Sequence, residues 1–78
     1  MSESSTLHLI EMANQIALNL THGKEQLECI SEIANHIQRF WAPSMRGQLI
    51  EQVAQNDPQI NPLVNKAVEL LSDYSALK

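Results

Sequence analysis

Apolar residues recur every three or four positions along almost the whole chain, with three short breaks. The first run is Leu9, Met12, Ala13, Ile16, Ala17 and Leu20. The second is Leu27, Ile30, Ile33, Ala34, Ile37, Phe40 and Trp41. The third is Met45, Leu49, Ile50 and Val53, and the fourth is Leu63, Val64, Ala67, Val68, Leu71 and Tyr74. Such spacing marks one buried face of a 3.6-residue helix. Runs rich in β-branched and aromatic residues, the mark of strands, are absent. The reading is an all-α chain, a small bundle of three to four short helices.

The breaks carry helix-terminating chemistry. The first helix is expected over residues 5–21, capped by Ser4 or Ser5 and ended by His22-Gly23. The second is expected from Lys24 to Trp41, with Glu25 and Glu28 at its positive end and Arg39 at its negative end. Pro43 disfavours helical geometry at Ala42 and suits the first position of a third helix. "QNDP", residues 55–58, ends that helix, and Asn61-Pro62 opens a fourth as N-cap and first turn. Short connections make sequence neighbours spatial neighbours, so helices one and two are expected as an antiparallel hairpin followed by a Pro-marked corner. Residues 1–78 form a single helical domain, with residues 1–4 flexible and the last few frayed. "MANQI" at 12–16 echoes "IANHI" at 33–37. The echo places Ala13 against Ala34 at the hairpin crossing, flanked by Asn14 and Asn35.

Composition excludes several functions. Five Lys and Arg against nine Asp and Glu leave a net charge of −4, which opposes nucleic-acid binding. The single cysteine, Cys29, makes no internal disulfide and fits a buried position in a reducing compartment. "MSESSTLHL" lacks the basic start of a signal peptide, and no apolar run approaches the ~20 residues of a membrane span. A cytoplasmic protein is expected, with no nucleic acid and no membrane as partner. His8, His22 and His36 share no metal-ligand spacing, and Cys29 with His36 supplies two ligands, too few for zinc. Gly23 and Gly47 are isolated, and Glu25, Glu28 and Glu32 form a face expected in solvent. No catalytic, metal or cofactor-binding residues are expected, and the chain is read as not an enzyme.

One stretch stands apart. "HIQRFWAPSMRGQL", residues 36–49, holds the only Trp, the only Phe and the only two Arg residues. No acidic residue occurs between Glu32 and Glu51, so an acidic chain carries one locally basic patch. Trp and Arg dominate interface hot spots. The candidate partner-binding residues are His36, Arg39, Phe40, Trp41, Met45 and Arg46. The competing reading is that Phe40 and Trp41 plug the bundle end while the arginines cap helix carbonyls. For Phe40 the plug is favoured; for Arg39, Trp41 and Arg46 the two readings stand level.

"MANQIA" and "ANHIQRFWAPSMRGQL" resemble the small delta subunit of the cytoplasmic NAD-dependent formate dehydrogenases. His36, Ile37, Arg39, Phe40, Trp41, Pro43, Met45 and Arg46 match its "HIxRFWxPxMR" pattern, and Met12 to Ile16 match its "MANQI". Gln38 and Ser44 stand where the pattern has basic residues. The resemblance covers roughly residues 7–53. It implies a subunit with no cofactor of its own. Its partner would be a large catalytic subunit holding a molybdenum or tungsten pterin and iron–sulfur clusters. Other subunits would carry flavin and reduce NAD. The role implied is assistance in assembly, cofactor insertion or stability.

Two further readings stay open. A chain of 78 residues buries only about 60% of its unfolded surface, so a stand-alone homo-oligomeric interaction module with Trp41 in the self-interface is one. The other is a small all-α enzyme whose arginines hold a dicarboxylate in a bundle pocket.

Overall fold

A computed structural model describes residues 2–20 and 25–72, with side chains in the first segment from Thr6 onward. Among these residues lie four helices and no strand: α1 (Ser2–Asn19), α2 (Gln26–Phe40), α3 (Pro43–Ala54) and α4 (Pro62–Val68). The expected all-α bundle is what forms. α1 starts earlier than expected, because nothing in Ser-Glu-Ser-Ser is a helix breaker; Ser4 and Ser5 lie inside its first turn rather than capping it. His22-Gly23, Tyr74 and the frayed end fall outside the described residues.

The local punctuation behaves as its chemistry dictates. Ala42 is extended (φ −67°, ψ 151°) ahead of Pro43, which occupies the first turn of α3. Asn61 caps α4: its Oδ1 accepts from the Leu63 N–H at 2.8 Å, and Pro62 follows at the first position. α3 ends in a Schellman-type turn. Asp57 N–H donates to the Gln52 carbonyl at 3.2 Å, and Asn56 N–H to that of Val53 at 3.0 Å. Asn56 takes the left-handed conformation (φ 59°) that this turn requires and that asparagine tolerates better than most residues.

The shortest helix lies at the centre. Val64, Ala67 and Val68 of α4 are wholly buried, and α4 packs on all three other helices. Its interface with α2 is the largest in the molecule, larger than that between α1 and α2. Helices one and two do touch, but the expected hairpin is not what leads the bundle. Ile10, Ile33, Ile37, Leu49 and Ile50 complete the core with Leu71, which follows α4 in two tight turns. Ile60, in the loop before α4, is also buried.

A side-chain bridge sets α4 in place. Asn14 Nδ2 donates to the Gln59 carbonyl at 2.8 Å, while Asn14 Oδ1 accepts from the Asn61 N–H at 2.8 Å. One carboxamide on α1 thus satisfies a donor and an acceptor in the loop that feeds α4. The echo between residues 12–16 and 33–37 therefore misplaces its asparagines. Ala13 and Ala34 are both in the core, but Asn14 turns to the loop at 59–61 and Asn35 is exposed.

The second apolar run needs two corrections. Leu27 is 80% exposed and Phe40 is 70% exposed. At about 100° per residue, these two sit about 80° and 60° to either side of Ile37. They also lie at the two ends of α2, second and last in the helix, where no other helix covers them.

Two substitutions test this account. Asn14→Ala is expected to cost about 1–3 kcal/mol by removing both bridge bonds, read as a lower midpoint in urea. Asn56→Ala is expected to cost about 1 kcal/mol through its left-handed backbone, while Asn56→Gly does not.

Candidate partner-docking face

The six candidate residues meet at the corner between α2 and α3, yet the fold divides their work. α2 releases its last regular residue at Phe40. Trp41 is extended (φ −88°, ψ 142°), and its N–H still donates to the Ile37 carbonyl at 3.0 Å. Trp41 still lies about 40° from Ile37 around the helix axis, within the apolar stripe. Trp41 turns into the core at 6% exposure, and Phe40, still helical, points away from it. The plug is therefore Trp41 and not Phe40. Trp41 is spent on the bundle's own packing.

The two arginines also part company. Arg46 is half-buried, and its Nη1 donates to the Trp41 carbonyl at 2.7 Å and, more weakly, to the Gln38 carbonyl at 3.4 Å. A guanidinium on helix carbonyls at a C-terminus satisfies orphan acceptors and opposes the negative end of the dipole. The carbonyl-capping role holds for Arg46. Arg39 is exposed, and its guanidinium carbon lies 5.8 Å from the centroid of the Phe40 ring, within cation–π range. His36, one helical turn before Phe40, places its ring 4.8 Å from that same centroid, tilted by 45°. Met45 is half-buried against the core.

His36, Arg39 and Phe40 therefore form an outward cluster, bordered by exposed Ala42, Pro43 and Ser44. The phenyl ring has two cation-forming side chains against it. An interface pre-ordered in this way loses less side-chain freedom on binding.

Gln38 carries a role that sequence reasoning missed. Its Oε1 accepts from the Ser72 N–H at 3.0 Å, tying the segment after α4 to α2. A basic side chain offers donors and no acceptor, so it cannot make this bond. Nothing local in the sequence signals a partner 34 positions away.

Elsewhere the chemistry is sparse. Cys29 is buried, and His8 is exposed. Glu25 and Glu28 are exposed but Glu32 is half-buried, so the face expected in solvent is only partly solvated. Among the described residues, no group of three His, Cys, Asp or Glu is placed to hold a metal ion, and no helix is long and apolar enough to cross a membrane. An open groove of about 590 Å³ lies between α1 and the end of α3, beside Leu7, Ile10, Glu51 and Asp57. Neither Arg39 nor Arg46 lines it. A dicarboxylate pocket built on the two arginines is thus not formed.

Truncations at the corner should separate packing from surface. Trp41→Ala is expected to cost about 3–5 kcal/mol, whereas Phe40→Ala changes stability by no more than about 0.5 kcal/mol. Arg46→Met is expected to lower stability by about 1–3 kcal/mol and Arg39→Met by less than about 0.5 kcal/mol. Thermal melts of the four variants decide it.

Comparison with known proteins matches a family. The family described as "NADH-dependent formate dehydrogenase delta subunit FdsD" matches residues 8–68. No curated protein and no solved structure matches the chain.

Proposed function

The chain belongs to the formate dehydrogenase delta subunit family, and from that premise we propose that it is a non-catalytic accessory subunit of a cytoplasmic NAD-linked formate dehydrogenase. It docks on the large catalytic subunit, the one that holds the molybdenum or tungsten centre, and assists assembly, cofactor insertion or stability of the complex. The family match carries this reading. The arrangement of the chain agrees with it. A small helical bundle devotes its Trp and one Arg to its own packing, yet keeps a Phe 70% exposed beside a free-standing aromatic–cation cluster. Exposing a phenyl ring of that size in a monomer forgoes hydrophobic stabilisation of roughly 2 kcal/mol. A partner that covers it recovers that loss.

Docking runs through the outer face of the α2 end, with His36, Arg39 and Phe40 in contact and Met45, Trp41 and Arg46 holding the corner that presents them. Self-association of the isolated chain through the same face is the second reading, favoured by the same exposed Phe40.

The test is a tagged pull-down of the chain from its native extract, followed by assays for formate-dependent NAD reduction and for molybdenum or tungsten. Activity with metal in the eluate is expected of a lasting subunit. Large subunit without metal is expected of a maturation factor. A clean oligomer of the chain alone, with neither, rejects the accessory role.

A further inference from the structure

We infer that the element received at the α2 end is an acidic segment of the partner protein, one that sets carboxylates against Arg39 and His36 and lays an apolar side chain over Phe40. This rests on the docking role proposed above and names the chemistry of its counterpart. Charge distribution is the first argument. The chain is acidic overall, yet no Asp or Glu occurs from residue 33 to residue 50. All of the corner falls within that span. An acidic protein thus carries a basic stretch here, bounded on α2 by Glu32, one helical turn before His36.

Geometry is the second argument. Arg46 is half-buried and donates to the Trp41 carbonyl, so it adds charge to the corner. Arg39 is the cation on the exposed side. It lies over the Phe40 ring, 5.8 Å from the centroid, on an exposed side chain. The N–H edge of a guanidinium suits bidentate contact with a carboxylate. His36, whose ring centroid lies 4.8 Å from that of Phe40, supplies a further donor. A carboxylate bound at this edge has a phenyl surface beside it, so the complementary segment must be both acidic and apolar. A nucleic-acid strand is a poorer fit, because its extended phosphate charge would also meet the nine carboxylates of a chain with net charge −4.

The experiment titrates the full-length chain against the large catalytic subunit purified from cells lacking this chain, at about 50 mM and about 500 mM salt, which span strong and weak screening of surface charge. The variants are Arg39→Glu, Phe40→Ala and, as a control with the same change in charge on an exposed site of α4, Lys66→Glu. Melting temperatures verify that each variant is folded. At low salt, Arg39→Glu and Phe40→Ala are each expected to weaken binding at least about tenfold, and Lys66→Glu by less than about twofold. Wild-type affinity is expected to fall as salt rises, and Arg39→Glu to lose most of that salt dependence. Equal binding by Arg39→Glu and Lys66→Glu, with wild-type affinity indifferent to salt, overturns the acidic counterpart while leaving the accessory role intact. Failure of the wild-type chain to bind the large subunit at all overturns both. Sedimentation gives the remaining outcome. A wild-type dimer split by Arg39→Glu, with both forms binding the large subunit equally, makes a second copy the occupant and overturns the proposal.

Discussion

The carboxamide of Asn14 joins parts of the chain that no local preference would bring together. Its two atoms meet the Gln59 carbonyl and the Asn61 N–H, 45 and 47 positions away. Asn61 is in turn the cap of α4, so the bridge fixes the loop, the loop fixes the cap, and the cap fixes the start of the helix. α4 has only seven residues, too few to be stable alone. It persists because α1 orients its entry and because three of its side chains are wholly buried. The largest interface in the bundle, between α2 and α4, depends on that placement.

The corner after α2 works on a different principle. Pro43 forces extended backbone at Ala42, and Trp41 is extended with it. Neighbouring aromatics about 100° apart around the helix axis thus part at this exit. The indole closes the core and the phenyl faces outward. Arg46 reaches back from α3 onto the carbonyls left open by the exit, so the corner is held from both sides. A stiff corner presents His36, Arg39 and Phe40 as one surface. Stability and presentation are thus served by adjacent residues.

Much of this was legible in the sequence, and the exceptions have a common cause. Pro43, Asn61 and Pro62 act on their immediate neighbours, and each does what its chemistry predicts. Ile30, Ile33 and Ile37 lie centrally in their stripe and are buried. Leu27 and Phe40 lie at the two ends of α2, where burial depends on whether another helix reaches them, which periodicity does not encode. Asn14 and Gln38 bond to backbone atoms far along the chain, so their roles exist only in the folded molecule. Ile60 sits in a break, outside any run that would mark it as core. At the candidate face, the sequence located the corner and its residue types. It did not separate Arg39 from Arg46, because that distinction is a matter of which way each guanidinium turns.

The central position of α4 has a consequence for how the molecule comes into being. A polypeptide made from its N-terminus produces α1, α2 and α3 before the residues that hold them together exist. Until Pro62–Leu71 is available, the α2 surface that will meet α4 lies open, and Asn14 has no loop to hold. Closing contacts across more than 40 residues sets the pace of such a process more than forming the helices does. The segment from Pro62 to Leu71 is therefore the middle of the bundle. A version of the protein stopped after α3 would be missing its centre rather than its end.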